Sequence, residues 1–156
     1  MGKTKVLFVC SGNICRSPSA EAVFKKLVED NGLKDKFEID SAGTGSWHVG
    51  ESADRRMQTH AKKRGYNLDS ISRRIIPHVD FDYFDVIIGM DDYNVRELKS
   101  RIRTKDDLNK IHKMTDFASE WSYDEIPDPY YGGDEGFELV LDLLEDSCNG
   151  LLEKLR

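Results

Sequence analysis

The chain has 156 residues, 38% of them hydrophobic and 33% charged, with 23 Lys and Arg against 29 Asp and Glu. That composition excludes a disordered chain, and the length is expected to fold as a single domain over residues 1–156 with a real core. The net charge of −6 argues against nucleic-acid and acidic-membrane binders, which long-range repulsion would oppose, and no stretch reaches the roughly 18 apolar residues of a membrane span.

In chain order, KVLFVC at 5–10 is a continuous β-rich apolar run, the pattern of a strand buried on both faces. A helix is expected to open at Pro18. Ala20, Val23, Phe24, Leu27 and Val28 recur along it at helical spacing, and Asn31-Gly32 ends it. FEIDSAGT, near 37–44, reads as a second strand, followed by a polar helix at about 52–64 that Gly65 stops. FDVIIGM at 84–90 reads as a third strand, DDYNVRELKSR as a helix, and KIHKM near 110–114 as a short fourth strand. Phe137, Val140, Leu141, Leu144, Cys148, Leu151, Leu152 and Leu155 form one stripe of a long last helix, which Gly150 interrupts. Strands alternating with helices predict an α/β fold: one three-layer domain, a four-stranded parallel sheet with helices on both faces. Residues 115–134, TDFASEWSYDEIPDPYYGGD, keep no periodicity, and a loop of that length is usually functional.

Three cysteines, Cys10, Cys15 and Cys148, are too few for a disulfide framework and fit a reducing compartment. The opening MGKTKVLFVCSG has no small-residue cleavage site, and Gly2 lacks the Ser or Thr of a myristoylation signal. A cytoplasmic protein without stable membrane insertion is expected. Cys10, Cys15 and the histidines His48, His60, His78 and His112 lack paired ligand spacing, so neither a metal nor another cofactor is expected.

Residues 10–17, CSGNICRS, lie between the first strand and the first helix. Amides at such a junction have no intrahelical partner, and the helix dipole adds positive potential, so the junction binds anions. Gly12 and Asn13 tolerate unusual backbone geometry, and Arg16 adds a planar fork that matches phosphate oxygens. No Gly-Lys-Ser/Thr follows, which excludes a nucleotide-binding Walker loop, and Gly43-Thr44-Gly45 starts no dinucleotide fingerprint. The thiol is the distinctive addition. An ordinary cysteine titrates at about 8.5, whereas one at a helix N-terminus beside an arginine titrates at roughly 3.5–7.5. A thiolate beneath a bound phosphoryl group is placed for in-line attack on phosphorus, with Arg16 and the amides holding the equatorial oxygens. The leaving oxygen then needs an acid. Asp128 on the long loop is favoured over Asp116, Asp124 and Asp134 because Pro129 restricts its backbone. Trp47, Tyr130 and Tyr131 supply aromatic walls suited to an aryl leaving group.

With CSGNICRS at one end and DPYYGG at the other, the chain closely resembles the low-molecular-weight protein tyrosine phosphatases. VLFVC, NICRSPSAEA, DSAGT ahead of Trp47 and the Met90-Asp91 pair extend the likeness over nearly the whole chain. The resemblance implies a phosphocysteine on Cys10, Arg16 as transition-state clamp, and Asp128 as general acid and then base. It implies that Ser17 hydrogen-bonds the nucleophilic sulfur, and that Ser11, Gly12, Asn13, Ile14 and Cys15 form the phosphate cradle. Asn13 would hold the loop's shape through side-chain bonds, with Ser41 a candidate partner, and Cys15 would be the second cysteine that can pair with the nucleophile under oxidation. Phosphate and other oxyanions would bind in the site, with phosphotyrosine-containing proteins as substrates. Where many members carry a histidine that supports the loop asparagine, this chain reads DSISRRI, with Ser70 as candidate substitute. Related scaffolds offer three other functions. Protein-arginine phosphatases carry threonine where Ile14 stands. Thioredoxin-coupled arsenate reductases need further cysteines between Cys15 and Cys148, where none occurs. Phosphoryl carriers need no leaving-group acid. Cys148 is read as core.

Overall fold

The computed structural model describes residues 2–130 and 132–156, so the expectation for Tyr131 lies outside the described residues. The elements run β1 (Thr4–Cys10), α1 (Arg16–Asp30), β2 (Phe37–Gly43), α2 (Arg55–Lys63), α3 (Pro77–Tyr83), β3 (Val86–Gly89), α4 (Asp92–Lys99), α5 (Lys105–Asn109), β4 (Ile111–Lys113) and α6 (Asp134–Leu155). The four strands form one parallel sheet in the order β2-β1-β3-β4. Successive residues of β1 face opposite sides, which is why its apolar run has no gaps. Val6, Phe8 and Cys10 join the core beneath α1, α2 and α6, while Leu7 and Val9 join Phe81, Phe84 and Leu98 on the other face.

The chain leaves β1 for α1 beside β2 and later returns to β3 on the opposite side of β1. The strand order therefore reverses around β1, and ligands of open parallel sheets bind at the carboxyl ends of strands at such a point. Cys10 is the last residue of β1, in register with Gly43 at the end of β2.

Several boundaries differ from the sequence reading. The first helix begins at Arg16, so Pro18 sits in its first turn, where a missing N–H costs no intrahelical bond. Two short helices, α3 and α5, were not expected; at 7 and 5 residues they are too short for a periodic stripe. Residues 115–134 are not wholly irregular: a 3₁₀ turn spans Met114–Phe117. Farther along, the Asp146 carboxylate of α6 accepts the amides of Ser119, Glu120 and Trp121 and pins the loop to the body. Gly150 does not break α6. A Cβ there would stand 1.8 Å from the Phe117 carbonyl oxygen, so glycine is what lets the loop lie against the helix.

Candidate active site

Cys10 is buried at the floor of a hollow of about 370 Å³, lined also by Ser11, Gly12, Ile14, Cys15, Arg16, Trp47, His48, Asp128 and Tyr130. The strand-to-helix loop wraps its sulfur. Asn13 N donates to Cys10 Sγ at 3.3 Å, and Ser17 Oγ lies 3.0 Å from it. Among the described residues the amides of Gly12, Ile14, Cys15, Arg16 and Ser17 meet no protein acceptor. Unpaired amides at a helix start beside a sulfur form an anion cradle.

Asn13 holds that shape. Its φ of 57° lies in the left-handed region, which asparagine tolerates better than most residues. Its Nδ2 donates to Ser17 Oγ at 2.7 Å and to Ser41 Oγ at 3.0 Å, while its Oδ1 accepts Arg73 N at 3.0 Å. Because Ser17 Oγ accepts from Asn13, its proton is left for the Cys10 sulfur at 3.0 Å or, at the longer 3.5 Å, for the Ala42 carbonyl. The loop carbonyls are also fixed: Ser72 Oγ donates to Gly12 O at 2.9 Å, and Asp54 N donates to Ile14 O at 2.8 Å. Support at the position raised for Ser70 thus comes from Ser72 and the Arg73 amide. Ser41 in turn donates to Glu21 Oε1 at 2.6 Å, a buried carboxylate that also takes Lys25 Nζ at 2.5 Å.

Arg16 is only 3% exposed. Its Nη1 donates to Asp91 Oδ2 at 2.6 Å and to Ile126 O at 3.0 Å, and Nη2 lies 3.7 Å from Asp128 Oδ2. Burial works against the guanidinium charge, but Cys10, Asp91 and Asp128 outweigh it and raise the Arg16 pKa. Asp128 is 48% exposed on the far side of the hollow, and its Oδ1 accepts Tyr130 N at 3.0 Å. The Tyr130 carbonyl accepts Arg56 Nη2 at 2.9 Å, and its ring faces His48 at 6.0 Å. Trp47 stands 67% exposed at the rim.

Cys15 is buried where α1 begins. Burial, then Asp54 and Cys10, raise its thiol well above the ordinary value, so it stays protonated. Cys148 lies in the core, where burial raises its thiol in the same way. The sequence reading missed the contacts of Asp91, Glu21, Ser72, Arg73, Arg56 and Asn94. The Met90-Asp91 pair was the one signal that pointed to any of them.

An α/β sheet with a thiol, an unpaired amide cradle and a buried arginine at one strand end defines an oxyanion-binding hollow with a nucleophile at its floor. Residues 5–156 match the family model of the Low molecular weight phosphotyrosine protein phosphatase, and the chain belongs to that family. It is therefore a phosphatase, a phosphoric monoester hydrolase. It is 43% identical over 150 residues to the Low molecular weight phosphotyrosine protein phosphatase of Gallus gallus, covering 96% of this chain and 94% of that one. It superposes with a TM-score of 0.95 on a crystal structure of protein tyrosine phosphatase from Entamoeba histolytica with Hepes in the active site, at 50% identity, covering 98% and 97% of the two chains. It also matches the structure of a Drosophila arginine phosphatase with a TM-score of 0.91, at 36% identity over 98% of each chain.

Proposed function

We propose that the chain hydrolyses aryl phosphate monoesters, chiefly phosphotyrosine on proteins, through a phosphocysteine on Cys10. The observation that carries this reading is the single hollow shared by the Cys10 sulfur, the unpaired amides, Arg16 and Asp128. In the first step the Cys10 thiolate attacks phosphorus and the bond to the phenolic oxygen breaks. Asp128, in its acid form, gives that oxygen a proton, so a neutral phenol leaves. In the second step Asp128, now a carboxylate, takes a proton from water while the water oxygen attacks phosphorus. The S–P bond breaks, inorganic phosphate leaves, and thiolate and acid are both restored.

Arg16 and the amides hold the three equatorial oxygens through both steps. Ser17, with Asn13 occupying one of its lone pairs, donates to the sulfur and steadies it as a leaving group in the second step. Ser11, Gly12, Asn13, Ile14 and Cys15 form the cradle, and Trp47 and Tyr130 flank the aryl ring. A thiolate nucleophile requires a reducing compartment, so we place the enzyme in the cytoplasm, acting as one domain on phosphotyrosine-containing proteins.

The likeness to an arginine phosphatase favours a second reading, hydrolysis of phosphoarginine. The apolar Ile14 at the edge of the hollow counts against it, since isoleucine offers no hydroxyl to a guanidino group. Rates on phosphotyrosine, phosphoarginine and phosphoserine peptides, with Cys10→Ser as control, test the choice. Phosphotyrosine should turn over fastest, and Cys10→Ser should bind phosphate without turnover. Preferential release from phosphoarginine would overturn the substrate assignment.

A further inference from the structure

Asn94 is fully buried in the first turn of α4. Its backbone N–H donates to Asp91 Oδ1 at 2.7 Å, and the other oxygen of that carboxylate accepts from Arg16. Gly89 at the end of β3 makes room for this approach: a Cβ there would stand 3.2 Å from Asn94 Cβ and 3.1 Å from Val95 Cγ2. Asn94 Nδ2 thereby reaches Ser11 Oγ at 3.1 Å. Its Oδ1 has no partner among the described residues, an exception that buried polar atoms rarely make.

A serine hydroxyl has one proton to donate and two lone pairs that accept. Asn94 occupies a lone pair of Ser11, and among the described residues the Ser11 proton meets no protein acceptor. Ser11 lines the same hollow as Cys10 and Arg16. Accepting a bond from Asn94 also polarises the hydroxyl and strengthens it as a donor.

We propose that the Ser11 side chain donates a hydrogen bond to an oxygen of the bound phosphoryl group, and that Asn94 is a positioning residue that aims that hydroxyl into the hollow. This rests on the phosphatase reading above and adds to the backbone cradle a donor that a residue without a hydroxyl at position 11 would lack. Turning the Asn94 side-chain amide around would engage the Ser11 proton with Oδ1, and the Ser11 hydroxyl would then donate nothing to a bound oxyanion.

The test compares Ser11→Thr with Ser11→Val, which match in shape and differ in the hydroxyl. Inorganic phosphate and vanadate inhibition constants and kcat/KM on p-nitrophenyl phosphate are measured alongside the thermal midpoint. Ser11→Val should bind both oxyanions about tenfold more weakly than Ser11→Thr, as expected for losing one bond to a charged group. Asn94→Ala should weaken binding in the wild-type background and add little in Ser11→Ala, because it acts through that hydroxyl. Equal oxyanion affinity in the Thr and Val variants, or an equal Asn94→Ala effect in both backgrounds, would overturn the proposal. If β-branching at position 11 unfolds the protein, Ser11→Ala alone against wild type decides by the same inhibition constants. Failure of the underlying reading looks different: the wild-type enzyme would then leave p-nitrophenyl phosphate intact.

Discussion

Replacing Asp91 with Ala removes the strongest contact of Arg16 and the cap of α4 together. The pair is short, at 2.6 Å, and its arginine is 3% exposed while the aspartate side chain is 19% exposed. Stripping one partner from a fully buried pair costs about 3–5 kcal/mol. Here the Ile126 carbonyl and Asp128 remain beside the guanidinium and the aspartate is part-solvated, so about 2 kcal/mol is the better figure. The lost cap, now Asp91 Oδ1 to Asn94 N, adds about 1 kcal/mol. Asp91→Ala should therefore lose about 3 kcal/mol in urea unfolding, or roughly 6–12 °C in Tm for a chain of this size. Asp91→Asn keeps an acceptor for the cap and should recover about a third of the loss. Removing a negative charge beside the arginine also favours a bound dianion. Phosphate should thus bind Asp91→Ala severalfold more tightly, while kcat falls about 10²-fold because the guanidinium is no longer aimed. Stability within 0.5 kcal/mol of wild type, on the order of an ordinary surface substitution, combined with unchanged phosphate affinity would refute the coupling of Asp91 to Arg16.

Asp128→Ala should slow phenyl phosphates in proportion to the basicity of the leaving phenol; uniform slowing across a phenol series would remove the acid role from Asp128. Burial opposes the Asp146 charge, but bonds from the amides of Ser119, Trp121 and Glu120 outweigh it and hold the carboxyl below its ordinary value. Its stabilisation is therefore complete above the unfolded carboxylate value of about 3.9 and disappears as pH falls through the lower folded value. Asp146→Asn should cost about 2 kcal/mol at neutral pH, with the gap to wild type closing in acid; a gap that widens as pH falls would contradict this. Iodoacetamide at neutral pH should modify Cys10 and be blocked by phosphate, while the raised thiols of Cys15 and Cys148 stay unmodified; peptide mapping that finds Cys15 labelled first would overturn the assignment of the nucleophile.

The parts of the fold legible in the sequence were those written locally. KVLFVC at 5–10 read as a strand buried on both faces because each face of the sheet needs its own apolar residues. The stripe from Phe137 to Leu155 read as a helix because it is long enough to show its period. Cys10, Asn13, Arg16 and Ser17 were legible because one strand-to-helix turn presents all four. What stayed hidden was written at long range. Arg73 meets Asn13 across 60 residues, Asp91 meets Arg16 across 75, and Asn94 meets Ser11 across 83. Apart from the Met90-Asp91 pair, nothing local distinguishes those side chains from ordinary capping and surface residues. Glu21 carried no signal of its own in the sequence, and only the folded sheet brings Ser41 against it.

Mixing the wild-type enzyme with excess p-nitrophenyl phosphate, quenching within the first turnovers and examining the protein by phosphorus NMR and peptide mapping is the most direct measurement. A phosphorothiolate on the peptide that carries Cys10, absent in Cys10→Ser, is the result expected of attack by that sulfur. A phosphoryl group on any other side chain, or turnover with no covalent phosphoprotein while Cys10→Ser remains active, would contradict it.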